Sequence, residues 1–385
     1  MMNRIYLDHA ATTPLSHTVL EKMLPFFTAV YGNASAVYAT GREARKAVEN
    51  ARRQTAAALG AEPREILFTS GGSESDNLAI KGTAYALKEK GSHIITTAIE
   101  HPAVLKTCRW LESEGFQVTY ILPDSTGRID PDQIRNAVRN DTILISVMTA
   151  NNEIGTIEPV NRIGEIAREN GIVFHTDAVQ AVGSIPVNVS CFNADLISLS
   201  AHKFCGPKGI GALYIRQGTR ISGLIHGGEQ ERGLRAGTEN VPGIVGLGQA
   251  IEEATEKLQD HAQRSQALRN RLINGILEQI PDTYLNGTME ERLPNNCSIL
   301  FDRIDGEALL LRLDLAGIAA SSGSACTSGS QQISHVLRAI GMTDTQAKGS
   351  LRLTVGCENT EAEIDETVNV LKIIVDDLRS MYHGT

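Results

Sequence analysis

Ala194-Asp195-Leu196-Ile197-Ser198-Leu199-Ser200-Ala201-His202-Lys203-Phe204-Cys205-Gly206-Pro207-Lys208-Gly209 reads as a strand running into a tight turn that carries a lysine. The apolar, partly alternating residues up to Leu199 supply the strand, and Gly206-Pro207 forces the turn. Lys203 therefore sits at a strand exit. A lysine there is either a solvated loop charge, the commoner fate of the residue, or an amine held in a cleft to condense with a carbonyl. The second role needs a lowered pKa and the company of carboxylate, imidazole and phosphate-binding groups.

The preceding chain alternates strands with helices. Thr40-Gly41-Arg42-Glu43 has capping-box spacing and opens a helix that Gly60 ends near Leu59. Strands follow over 65–69, 93–98, 117–122, 142–148 and 172–176, each leading into a helix or a polar turn, and Asp130-Pro131 is an N-cap with proline at the first helical position. Apolar strands alternating with helices predict an α/β domain with a mostly parallel sheet covered by helices, its functional groups at the carboxyl ends of the strands. A further strand covers 209–215, and beyond Pro242 a helical stretch runs to about Ile280. The remainder alternates less regularly and predicts a smaller α+β domain. The division expected is a large domain over 15–245 and a small one made of 1–14 and 246–385. The opening Asp8-His9-Ala10-Ala11-Thr12-Thr13-Pro14 reads as an arm laid over something.

The 385 residues are 42% hydrophobic and 21% charged, with a formal net charge of −9. That balance argues against a general nucleic-acid or anionic-membrane surface. No apolar run approaches the roughly 18 residues of a membrane helix, and no signal-peptide pattern precedes Ile5, so a cytoplasmic location is expected. The six cysteines (Cys108, Cys191, Cys205, Cys297, Cys326, Cys357) are widely spaced, which predicts neither a metal site nor a disulfide framework. Five are expected to pack as small hydrophobes. Cys326 differs, because Ser321 to Ser330 offers almost nothing apolar to bury it, which favours an exposed nucleophile.

Several other residues fit chemistry around Lys203. Asp177 follows an apolar strand, either as the N-cap of the next turn or as a carboxylate facing a heteroaromatic nitrogen, which it would keep protonated. Gln180 could donate to a phenolate oxygen on the same ring. Ser70-Gly71-Gly72-Ser73 is a Gly-rich strand-to-helix turn suited to an anion such as phosphate, and Ser200, His202 and Thr238 could complete the cup. His101, before Pro102, is placed to stack on a ring and carry protons. Arg352, a charge within an apolar strand pattern, is either a satisfied edge residue or a bidentate clamp for a carboxylate.

In these residues the chain resembles the pyridoxal-phosphate cysteine desulfurases of the NifS and IscS type, within the fold type I aminotransferase superfamily. The likeness is carried by Tyr6 to Pro14, Thr69 to Ser75, Glu100-His101, Asn151 to Gly155, Asp177 to Gln180, Ser200 to Lys203, Arg232 to Thr238, Ser322 to Cys326 and Ser350 to Arg352. The resemblance implies pyridoxal 5'-phosphate bound as a Schiff base on Lys203, with Asp177 on the ring nitrogen, Gln180 on the ring oxygen and His101 stacked on the ring. It implies phosphate contacts from Gly72, Ser73, Ser200 and His202, with Thr238 reaching in from a partner subunit of a homodimer. Asn152 and Arg352 would hold L-cysteine, with Asn33 as a further contact, and Cys326 would take its sulfur as a persulfide and leave alanine. Lys203 and His101 are the implied proton carriers, and no metal is implied. The sulfur would pass to an acceptor protein, an iron-sulfur scaffold or a tRNA-thiolation protein. A selenocysteine lyase or aminotransferase on the same fold, and a cofactor- or cluster-binding module without turnover, are the competing readings. Three departures stand out: Gly72 and Ser73 for Ala and Thr, Tyr38 for His, and Gln331-Gln332-Ile333 for Leu-Glu-Pro.

Overall fold

The computed structural model describes residues 4–322 and 333–383. In chain order its elements are β1 (Ile5–Tyr6), α1 (His17–Met23), α2 (Pro25–Thr28), α3 (Ala39–Leu59), β2 (Ile66–Thr69), α4 (Gly72–Leu87), β3 (His93–Thr97), α5 (Pro102–Ser113) and β4 (Gln117–Ile121). Then come α6 (Pro131–Ala137), β5 (Thr142–Ser146), α7 (Val160–Glu169), β6 (Val173–Asp177), α8 (Val189–Phe192), β7 (Leu196–Ser200), β8 (Gly211–Ile215) and α9 (Val241–Glu256). The last part contains α10 (Leu258–Gln279), β9 (Thr283–Leu285), β10 (Asn296–Phe301), α11 (Gly306–Leu315), β11 (Ile318–Ala319), β12 (Ser321–Ser322), α12 (His335–Ala339), α13 (Asp344–Lys348), β13 (Ser350–Thr354) and α14 (Glu361–His383).

Seven strands form the main sheet in the order β2-β8-β7-β6-β5-β3-β4. Only β8 runs against its neighbours, antiparallel to both β2 and β7. Alternate residues of each strand feed opposite faces. Ile66 and Phe68 join the core under α3, α7 and α9, whereas Leu67 packs on the side of α4. Ile95 and Ile94 divide in the same way, so both faces are covered. This is the α/β arrangement expected, with the exits of β2, β5, β6 and β7 at one edge.

The second core gathers Leu272 and Ile276 of α10, Cys297 and Ile299 of β10, Leu353 of β13 and Leu371 and Val375 of α14. Its sheet has the order β12-β13-β10-β9. The chain start also belongs here, because β1 pairs parallel with β11 and Ile5 and Leu7 lie in this core. The helical stretch expected to run unbroken to Ile280 breaks at Lys257 (φ −100°, ψ 9°) into α9 and α10. Leu247, Ala250 and Ile251 of α9 pack in the large core although they lie past residue 245, and so do Val336 and Leu337 of α12.

Two local expectations are corrected. The capping box at Thr40 does not form: α3 starts at Ala39 behind Tyr38, which makes no side-chain cap, while Gly60 ends the helix at φ +69° as anticipated. The cysteines divide as well. Cys108 and Cys297 are buried, but Cys191 is exposed and Cys205 and Cys357 are half-buried. Cys191 faces solvent because α8 is a single turn whose buried residue is Val189. Cys326 lies outside the described residues.

Candidate active site

The arm lies across the exit of β7. Thr13 N and Oγ1 both donate to the His202 carbonyl at 2.9 Å, and Ala10 N donates to Thr354 Oγ1. Lys203 Nζ donates to the carbonyls of Ala10 (2.5 Å) and Ala11 (2.8 Å), and Gln180 Nε2 also donates to Ala10 O. Burial, helped by the Arg352 charge, brings the Lys203 ammonium down to about 8, while Asp177 and Asp8 pull the other way. Lys203 is thus an amine with an appreciable neutral fraction near neutrality, a property that an amine nucleophile requires.

Asp177 ends β6 and is buried. One carboxylate oxygen accepts from Val179 N at 2.9 Å, so the N-cap reading holds for that atom. Ligand atoms of Asp177, Asp76 and His101 all lie within 4.8 Å of one another. Burial raises both acids, and for Asp76 the neighbouring Asp177 charge raises it further. Among the described residues Asp76 Oδ1 has no hydrogen-bond partner, and it lies 3.6 Å from His175 Nε2, whose own pKa burial lowers to about 3. The cluster is short of positive charge, and such a set of buried acids is costly until a cation or donor meets it.

His101 is the N-cap of α5, its Nδ1 accepting from Ala103 N at 3.1 Å. In the neutral ring this leaves the proton on Nε2, and burial keeps the pKa below its ordinary value. Gly71 (φ +152°) and Gly72 open α4 with no side-chain cap, leaving its first amides to a ligand. A Cβ on Gly72 would meet Val179 Cγ2 at 2.7 Å and Ser200 Cβ at 3.6 Å, so this turn and Ser200 face each other closely. His202 Nδ1 bonds Thr12 Oγ1, and burial lowers its pKa to about 4.

Arg352 is buried at the edge between the two cores. Its Nη2 donates to Asp8 Oδ1 (2.8 Å) and its Nη1 to the Asn152 carbonyl (3.0 Å), while Nε finds no partner among the described residues. Ser73 and Thr238 are exposed, Thr238 in the loop before α9. Asn33 is exposed too, with its Oδ1 taken by Ser35 N. Asn33 and Thr238 are therefore not brought to Lys203 by contacts within the described residues.

The sequence reading missed Asp76, His175, Asp8 and Glu153. Asp76 had a signal, being a carboxylate in line with Ile80 and Thr83 on the buried face of α4. Glu153 is buried, accepts from Ser334 Oγ, and is raised to about 7 mainly by burial. Glu100 is raised to about 8 for the same reason, though Thr97 Oγ1 and Met148 N donate to it.

A ring that brings a cation to Asp177, a carbonyl to Lys203 and an anionic group to the α4 turn would complete these unfilled valences. The class-V aminotransferase family model matches residues 5–367. The chain belongs to that family. It is 55% identical over 377 residues to the cysteine desulfurase IscS of Methanosarcina thermophila, covering 98% of this chain and 93% of that protein. It is 54% identical to the cysteine desulfurase IscS of Clostridium botulinum, covering 99% of this chain and 96% of that one. Among solved structures, a NifS-like protein superposes with a TM-score of 0.92 at 40% identity, covering 98% of this chain and 100% of that one. The family's cofactor is pyridoxal 5'-phosphate, and the residues present fit it.

Proposed function

We propose that the protein is a cysteine desulfurase that converts L-cysteine to L-alanine and passes the sulfur to Cys326 as a persulfide. The observation that carries this reading is the meeting of Lys203, Asp177 and Arg352 at one sheet edge, in a chain 55% identical to a protein of that name. Lys203 would hold pyridoxal 5'-phosphate, Asp177 its ring nitrogen, Gln180 its ring oxygen and His101 its face. Gly72, Ser73, Ser200 and His202 would hold the phosphate. When bound, the cofactor supplies an electron sink for the electrons left at Cα on deprotonation.

The chain's own groups do the rest. Arg352 already grips a carboxylate, that of Asp8, and the substrate carboxylate would take its place while the free Nε gains a partner. Asn152 and Asn33 are further substrate contacts in this reading. Lys203, low enough in pKa to lose and regain a proton near neutrality, is the group to move the Cα proton. His101 Nε2 holds the second proton position. Cys326 thiolate attacks the substrate sulfur, the C–S bond breaks, and the sulfur leaves bonded to Cys326. In the test, Lys203→Ala should lose the covalent adduct that borohydride fixes in the parent, and Cys326→Ala should keep cofactor but release no alanine. Adduct on Lys208, or alanine at the parent rate from Cys326→Ala, would sink the reading.

A homodimer that shares its sites is part of the proposal. Leu20, Leu24, Phe27, Tyr31, Val37 and Tyr38 are all exposed along α1, α2 and the loop beyond, a run of apolar surface that a monomer rarely leaves open. Thr238 would then complete the phosphate cup of the partner. Light scattering giving a monomer with full cofactor would contradict it. The acceptor would be an iron-sulfur scaffold or a tRNA-thiolation protein. No described helix is long and apolar enough to cross a membrane.

A further inference from the structure

A cavity of about 420 Å3 has Lys203 in its lining but not Asp177. It lies between the two cores, lined among others by His9, Glu253, Lys257, Cys205 and Cys357. The two cysteines come from different lobes: Cys205 follows Lys203 in the large one, and Cys357 follows β13 in the small one. Both are half-buried and line the same cavity, and each thiol is the main influence on the other's protonation.

We propose that Cys357 and Cys205 form a thiol-exchange site, in which Cys357 attacks a low-molecular-weight disulfide entering this cavity and Cys205 resolves the product to a Cys205–Cys357 disulfide.

Three features carry it. Cys205 sits at φ +61°, a left-handed conformation that a non-glycine residue adopts at a cost. It is fixed there by Thr13 Oγ1, which accepts from Cys205 N at 2.8 Å, and by Ser16 N, which donates to Cys205 O. The conformation is thus held by the arm at the wall of the cavity that Cys357 also lines. Second, the pair is polarised. The neighbouring Cys205 thiol brings Cys357 down to about 6, while Cys205 is pushed up by Cys357 and by burial. One sulfur is a ready nucleophile and the other keeps its proton, the division of labour that exchange requires. Third, metal binding lacks donors: among the described residues, the one trio of His, Cys, Asp or Glu atoms close enough to share an ion is Asp76, His101 and Asp177.

The chemistry balances. Cys357 sulfur bonds to one sulfur of R–S–S–R, and R–S⁻ leaves and takes a proton. Cys205 gives up its proton, its sulfur bonds to Cys357 Sγ, and the second R–S⁻ leaves. The protein loses two electrons and two protons, and the small disulfide is reduced to two thiols. The product would tie the Lys203 turn to the strand end that carries Arg352.

The full chain would be incubated with glutathione disulfide, quenched with acid, alkylated and peptide-mapped. The parent should yield linked peptides containing Cys205 and Cys357, reversed by dithiothreitol. Cys205→Ser should stop with glutathione on Cys357, and Cys357→Ser should leave Cys205 at least about tenfold less modified. Limiting iodoacetamide on the parent should label Cys357 before the exposed Cys191, a readout that needs no variant. Absence of the linked peptides, equal reaction of Cys205 without Cys357, or Cys191 labelled first would each overturn the proposal. None of these readouts uses turnover of cysteine, so they stand or fall apart from the desulfurase reading.

Discussion

Two buried charge clusters in the large lobe have opposite characters. Around Arg52 every group is answered: Nη2 and Nη1 grip Glu231 at 2.7 and 3.0 Å, Nη1 also donates to Ile66 O, and Phe68 N donates to Glu231. The guanidinium lies 4.8 Å from the Phe68 ring centroid as well. Around Asp177 the acids outnumber their partners, and Asp76 Oδ1 goes without one. A closed cluster holds structure together, whereas an open one at strand exits waits for a ligand. Burial alone does not separate the two; the count of satisfied atoms does.

Breaking the open cluster should cost most in activity. Asp177→Asn keeps the shape and the Val179 contact but removes the charge meant for the ring nitrogen, so alanine formation should fall by about a hundredfold or more. Thermal stability should not fall, because the change relieves the repulsion from Asp76. Near-parent turnover would show that Asp177 is only a cap.

Breaking the closed cluster should do the reverse. Arg52→Ala leaves Glu231 buried and unpaired, which should cost about 3–5 kcal/mol in denaturant unfolding, with turnover per folded molecule unchanged. A loss of activity without a loss of stability would erase the contrast between the two clusters.

The smallest effect is expected from the exposed counterpart. Arg271 grips Asp365 with Nε and Nη2 and Glu361 with Nη1, a geometry as good as that of Arg52 but open to water. Arg271→Ala should lower the melting temperature far less than Arg52→Ala, and its small drop should vanish in high salt while that of Arg52→Ala remains. An equal drop would mean that geometry, not burial, sets the worth of these pairs.

What the sequence disclosed was local. Asp177, His101 and Lys203 were legible because Asp177 ends β6, His101 caps α5 and Lys203 follows closely on β7, and Asp130 before Pro131 caps α6 as read, accepting from Asp132 N. What it withheld was pairwise. The reading of 209–215 as a strand says nothing of its direction, so the reversal of β8 had no local signal. Lys257 carries no Gly or Pro mark to announce the break between α9 and α10. Cys205 and Cys357 looked like isolated small hydrophobes because their meeting depends on how the two lobes dock. Arg352 was ambiguous for the same reason, its Asp8 partner lying at the other end of the chain.

The pairing of β1 with β11 sets a timetable for the molecule's birth. Ile5 and Tyr6 leave the ribosome long before their partners Ile318 and Ala319. β2 likewise waits for β8 before it joins the sheet that seats the α4 turn. Contacts between such distant parts of the chain form late, after the local helices. A nascent chain thus carries Lys203 long before β11 exists to anchor the arm over it, and cofactor capture in the finished pocket becomes an event that follows synthesis.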